Sequence, residues 1–213
     1  MDTPSSAEAR YPVQFSVDYP DKPRDRGTVA LRLIVAIPIL VILGLVAGGQ
    51  YEWGHGQWKF ALGAGGFLAA APGLMIVFRQ KYPRWWFDWN LGLAKFSSRV
   101  CAYLLLLRDE YPSTDEEQAV HLEVPYPNVQ TDLNPLYPLF KWLLAIPHYI
   151  VLWFLWVLAI LATIVVWFMV LFTGSHRRDM FDYVVGVLRW TNRVGAYAYL
   201  IATDKYPPFS LEP

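Results

Sequence analysis

The sequence predicts a mainly α-helical, polytopic integral membrane protein of two tandem repeats, each a short strand, a transmembrane hairpin and an amphipathic interfacial helix. Three observations carry this expectation. From Tyr149 to Phe172 the chain holds no charged residue, glycine or proline, and an apolar block of that length reads as membrane-spanning rather than as the core helix of a soluble domain. Of the 213 residues, 55% are hydrophobic and 16% aromatic, with 10 Trp and 13 Tyr whose amphipathic rings suit the water–lipid boundary. Mean hydropathy is +0.26. The third observation is that much of the first half recurs, in order, in the second.

Residues 1–9 are a tail without pattern. From Arg10 to Pro20, apolar Val13, Phe15 and Val17 alternate with polar Gln14, Ser16 and Asp18, and a period of two predicts a short strand that proline stops. A charged turn at 21–27 leads to a first span over 28–47, a loop over 48–59 and a second span over about 60–78. Together they make a transmembrane hairpin at 28–78. The next helix, 84–107, is apolar but interrupted by Asp88, Lys95 and Arg99, which suits the interface better than hydrocarbon. Repeat one thus covers 10–112, and an acidic linker follows at 113–119. Repeat two covers 120–211, with an apolar hairpin at 136–174 and an amphipathic helix at 179–202.

The recurrence is specific. Val120-His-Leu-Glu-Val-Pro-Tyr-Pro follows Val13-Gln-Phe-Ser-Val-Asp-Tyr-Pro, and Lys141 through Ala145-Ile146-Pro147 follows Arg32 through Ala36-Ile37-Pro38. Phe181-Asp182-Tyr183, Gly186, Arg189-Trp190 and Arg193-Val194 keep one offset from Phe87-Asp88-Trp89, Gly92, Lys95-Phe96 and Arg99-Val100. Asp204-Lys205-Tyr206-Pro207 follows Asp109-Glu110-Tyr111-Pro112. Correspondences in a fixed order predict an internal duplication.

Basic residues flank both apolar regions: Lys22, Arg24, Arg26 and Arg32 before the first, Arg79, Lys81 and Arg84 after it, then Lys141 before the second and Arg177 and Arg178 after it. The positive-inside rule puts all these flanks in the cytoplasm and demands an even number of crossings in each repeat. Yet one helix from Leu139 to Phe172 would be roughly 50 Å long, against about 30 Å of hydrocarbon. The expectation is therefore that 136–174 turns back within the bilayer; the alternative is a single tilted span, which would put the second basic cluster on the opposite side. The first apolar run follows a polar segment, so no cleavable signal peptide is expected. The predicted topology is multi-pass, with both termini cytoplasmic.

Formal net charge is +0 and there is one cysteine, Cys101. The first points away from nucleic acid; the second excludes a disulfide framework and a cysteine-based zinc or iron–sulfur site. The histidines His55, His121, His148 and His176 show no metal-ligand spacing, and no phosphate loop, nucleophile elbow or zincin pair is present. Neither a cofactor nor a metal is expected. The candidate contacts are Asp88, Lys95 and Arg99 on one amphipathic helix and Asp182, Arg189 and Arg193 on the other. Spacings of seven and four place each set near one helix face. Guanidinium groups there could grip phospholipid headgroups or an acidic partner. The alternative is that the carboxylates serve the first helical turns while the basic groups snorkel or pair internally. His148, after Pro147 at a membrane boundary, is a candidate ligand or relay, or a hydrogen-bonded anchor.

Lys-Trp-Leu-Leu-Ala-Ile-Pro-His-Tyr-Ile-Val-Leu at 141–152, Leu-Phe-Thr-Gly at 171–174, Phe-Asp-Tyr-Val-Val-Gly-Val-Leu-Arg-Trp-Thr-Asn-Arg-Val at 181–194 and Asp-Lys-Tyr-Pro-Pro-Phe at 204–209 resemble a bacterial membrane family, domain of unknown function 4389. The resemblance implies an integral protein of the bacterial cytoplasmic (inner) membrane and transfers no catalytic residue. The expected function is a non-enzymatic scaffold or accessory subunit organising lipids or a larger membrane complex. Its partners would be membrane lipids, other membrane-complex subunits or further copies of the chain. A small channel or transporter is the alternative, and an enzyme with an unrecognised site is third.

Overall fold

The computed structural model describes residues 11–20, 24–47, 64–174 and 177–213. Among the described residues the chain is mainly helical, with eight helices and two strands. In order these are β1 (Gln14–Val17), α1 (Arg26–Val35), α2 (Ile37–Ala47), α3 (Ala64–Arg79), α4 (Arg84–Leu104), β2 (Val120–Glu123), α5 (Val129–Asp132), α6 (Pro138–Leu144), α7 (Ile146–Thr173) and α8 (Arg178–Ala198). The tail at 1–9, Lys22, the loop at 48–59 with His55, the start of the second expected span at 60–63 and His176 lie outside the described residues.

Local chemistry sets the boundaries. Asp25 caps α1 by accepting a hydrogen bond from the Gly27 amide at 3.0 Å. The helix breaks at Ala36, and α1 and α2 meet at a bend of 41°. Pro38 has no N–H to give the carbonyl four residues back, so the first apolar run cannot continue straight. The same device separates α6 from α7 at Ala145, ahead of Ile146-Pro147. Once past Pro147, nothing stops α7 until Gly174, whose φ of 73° provides the left-handed cap.

That continuity corrects the expected architecture. α7 is one unbroken helix of 28 residues, about 42 Å at 1.5 Å per residue, and it does not turn back between 136 and 174. A reversal needs backbone that leaves the helix, and Tyr149–Phe172 contains no residue that favours one. The flanking charges that argued for two crossings have other employment: Lys141 is wholly buried, and Arg177 and Arg178 pair with Asp179 and Asp182. In the first half, α1, α2 and α3 have 10, 11 and 16 residues, each short of spanning length. Among the described residues only α7 is long and apolar enough to cross a membrane alone; α1 and α2 reach that length only together, across their bend. The described residues do not form a polytopic chain of repeated hairpins; α7, or α7 together with the bent α1–α2 pair, is what reaches spanning length among them.

β1 and β2 pair antiparallel, Phe15 opposite Leu122 and Val17 opposite Val120. One face of this ribbon, Val13, Phe15, Val17, Val120, Leu122 and Val124, is buried, whereas Ser16, His121 and Glu123 are exposed. β1 packs on α8 and β2 packs on α4, so each strand rests on the amphipathic helix from the far half of the chain. Aromatic contacts follow the same crossed pattern. Tyr19 meets Phe181 edge-on at 5.0 Å between centroids, and Tyr126 meets Phe87 at 5.2 Å.

Two smaller clusters flank this core. Ala36 and Ile39 pack with Phe96, Val100 and Tyr103 of α4, with Leu43 partly buried beside them. Ala145 and Leu152 pack with Trp190, Val194 and Tyr197 of α8. α4 and α8 are both 21 residues long, and each is followed by a buried residue with positive φ, Leu106 (61°) and Ile201 (54°). Left-handed backbone is costly for a branched residue; here each side chain is anchored in the interior.

Candidate functional site

Three features stand out above this scaffold. The first is an apolar face. On α7, Ile150, Trp153, Phe154, Leu158, Leu161, Ile164, Phe168 and Phe172 are all exposed, and only 17% of its most apolar window is buried. Leu33, Ile34, Ile37, Val41 and Leu45 on α1 and α2 are exposed too, as are Phe140 and Trp142 on α6. α1 runs against α7, with Val29 buried between Val166 and Val170 and the Trp167 indole donating to the Val29 carbonyl at 3.2 Å. At the C-terminal ends of α3 and α7, Phe78 and Phe172 are exposed, followed by exposed Arg79, Lys81 and Arg84 and by Arg177 and Arg178. Trp85 and Trp89 lie beside the first of these basic groups, also exposed.

The second feature is a matched set of buried cations. Arg32 pairs with the Asp109 carboxylate, donates to the Tyr103 and Arg108 carbonyls at 2.6 and 3.0 Å, and lies 4.5 Å over the Tyr103 ring. Arg24 reaches the same carboxylate at 3.1 Å. Lys141 pairs with Asp204 at 2.8 Å, donates to the Thr203 carbonyl at 2.8 Å and lies 5.2 Å over the Tyr197 ring. Burial pulls both Arg24 and Lys141 below their ordinary values, with Asp109 and Asp204 opposing it. These cations tie the first helix of each apolar region to the segment after the amphipathic helix, which is a structural role.

The third is a cleft of about 350 Å³ where α4, α8, α7 and β2 meet. Ala94, Leu122, Leu152, Trp156, Leu188 and Gly195 line much of it. Its polar side chains are largely turned on one another or on the helices. Ser98 donates to Asn192 Oδ1 at 3.0 Å, Asn192 donates to the Leu188 carbonyl, and Thr191 donates to the Val187 carbonyl while accepting from the Trp156 indole. Cys101 also lines the cleft, and burial pushes its thiol up, away from the reactive thiolate.

The charged residues singled out from sequence are not assembled into one site. Asp88 and Asp182 are exposed one turn into α4 and α8, 3.7 Å from Arg84 and Arg178 at the helix starts. Arg99 donates to the Ser113 carbonyl at 2.8 Å, and Lys95 is half-buried on the same helix. Arg189 donates to the carbonyls of Phe15 at 2.9 Å and Leu211 at 2.6 Å. Arg193 is buried, 3.5 Å from the Ser210 carbonyl and 5.8 Å from the Tyr11 ring centroid. Arg189 and Arg193 thus converge on the C-terminal segment and β1. That segment also crosses Gly186, where a Cβ would stand 2.9 Å from Leu211 Cβ and 3.0 Å from its carbonyl oxygen.

His148 is completely buried. Its Nδ1 accepts from the Trp190 indole at 3.0 Å, its ring stacks on Phe209 at 4.0 Å, and Tyr206 lies 4.8 Å away. Accepting at Nδ1 leaves the proton on Nε2, which has no hydrogen-bond partner among the described residues. Among those residues no group of three or more His, Cys, Asp or Glu side chains is placed to hold a metal ion.

Sequence reasoning did not single out the two buried ion pairs or the Ser98–Asn192 contact. A signal for the ion pairs existed: Arg32 and Lys141 are cations inside apolar runs, and both they and the later Asp109 and Asp204 fall at matched points of the recurrence.

Residues 138–210 match the family model described as Domain of unknown function (DUF4389). The matched segment runs from the start of α6 to beyond α8. No curated protein and no solved structure matches it.

Proposed function

We propose that the protein is a non-enzymatic scaffold or accessory subunit held in a lipid bilayer, with α7 as its spanning helix and α1, α2 and α6 shielding their apolar faces against hydrocarbon beside it. The observation that carries this reading is the exposure of α7, a helix of mean hydropathy 2.8 over its best window with 17% of that window buried. Soluble monomers rarely leave contiguous apolar patches above a few hundred Å² uncovered, and α7 exposes large side chains along its whole length. Trp85 and Trp89 beside Arg79, Lys81 and Arg84 provide the aromatic and basic groups that favour the headgroup level. Lipid headgroups are the partners this arrangement favours, with the exposed cations at the starts of α4 and α8 as their contacts.

Within this reading the halves are two copies of one unit. The axis relating them would pass between Phe15 and Leu122, because the strand pairing is symmetric about those two residues when Val13 is aligned with Val120. The paired ion contacts Arg32–Asp109 and Lys141–Asp204 support the same relation.

The test is membrane partition of the full chain. Purified protein mixed with phosphatidylcholine vesicles should float with them and stay after alkaline carbonate washing, whereas a Trp153→Asp/Leu161→Lys variant should be released at least in part. Wild-type protein that is monodisperse without detergent and sediments apart from vesicles would overturn the reading.

A further inference from the structure

The cleft between α4 and α8 is not used by anything described above. We infer that it is a binding site for one acyl chain of a bilayer phospholipid, an inference that rests on the bilayer reading just proposed. Its volume, about 350 Å³, falls within the roughly 300–1,000 Å³ of small-molecule sites. None of the described residues that line it is charged, so an anion, a cation or a phosphate finds no counter-charge there. The Ser98, Thr191 and Asn192 side chains are committed to one another, to Trp156 and to carbonyls of α8; the other hydroxyls among the lining residues are those of Ser97, Tyr149 and Tyr199, and the rest of the lining is mainly carbon. A ligand without strong polar demands is the chemistry that remains.

Position selects the acyl chain over other apolar molecules. Tyr149, Leu152 and Trp156 of α7 form one wall, and Trp153, Phe154 and Val157 of the same helix are exposed on the apolar face. The cleft wall and the apolar face are thus neighbouring strips of one helix, so the cleft adjoins the surface that hydrocarbon would cover. Gly195 matters here as well. It lines the cleft, and a Cβ built on it meets nothing within 4 Å. The space beside Gly195 is open in a helix that would tolerate a better helix former.

The experiment uses the full chain in phosphatidylcholine vesicles doped with a phosphatidylcholine bearing a diazirine in one acyl chain, with photoadducts mapped by peptide mass spectrometry. The expected result is adducts both on the α7 face, at Trp153, Phe154 or Leu161, and inside the cleft, at Cys101, Leu122 or Leu188. In Gly195→Leu the cleft adducts should fall at least five-fold while those on the α7 face persist and the melting temperature in detergent does not drop. Adducts on the α7 face with none in the cleft, or cleft adducts indifferent to Gly195→Leu, would overturn the inference and leave the bilayer reading standing. No adducts anywhere would overturn both. If Gly195→Leu proves unstable, Ala94→Leu fills the cleft from α4 and must show the same selective loss.

Discussion

Lys141 shows most plainly how a single residue is committed in this protein. Its side chain is fully buried and its partner Asp204 is largely so, in a region with almost no other charge. Removing one member of such a pair strands the other in a low-dielectric site, which costs about 3–5 kcal/mol, whereas replacing both by groups of similar volume is often close to neutral. Asp204→Asn should therefore lower thermal stability in detergent sharply, and Lys141→Met combined with Asp204→Asn should recover most of the loss. Additive losses in that cycle would show that the two side chains do not depend on each other. Arg189 and Arg193 carry the same lesson within α8. Both look from sequence like cations on an amphipathic face, and in the structure they lie against carbonyls of Phe15, Ser210 and Leu211. Sequence period shows the face a residue occupies; which neighbour fills that face depends on other segments, Phe15 being 174 residues from Arg189 and Leu211 being 22.

At the level of elements, the helical content and the apolar block of α7 were legible, because both depend on local periodicity and composition. The period of two over Val13–Val17 was legible for the same reason. What the sequence did not reveal was how the apolar regions run. Basic residues on both sides of 136–174 argued for a reversal, and that argument treats every Lys and Arg as a free topological signal. Lys141 is in an ion pair inside the protein, so its charge says little about which side of a membrane it faces. Helix propensity then wins, since Tyr149–Phe172 offers no turn residue at all. The cleft was illegible for a different reason: it arises where α4, α7, α8 and β2 fail to fill the space between them, and no single segment encodes a void. The continuity of α7 has a direct check. Hydrogen exchange of the protein in detergent should show unbroken protection of the amides from about Val157 to Ile164. A stretch of several fast amides there would mean that the helix is interrupted after all.

For the whole molecule, the governing feature is that each strand rests on the amphipathic helix of the opposite half, β1 on α8 and β2 on α4. The segment that joins the halves passes through Thr114, Asp115, Glu116 and Glu117, all exposed. Its continuity therefore contributes little to holding them together once folded. Cleavage by a glutamate-specific protease after Glu116 or Glu117 should give two fragments that co-elute in detergent and separate only on denaturation. Fragments that part under native conditions would show that the covalent link, and not the exchanged strands, keeps the halves in register. Such an arrangement behaves as a clasp: opening it requires both strands to leave together, because the two pair with each other as well as with the helices beneath them. The expected outcome is a single cooperative unfolding transition for the intact chain, in which neither half melts ahead of the other.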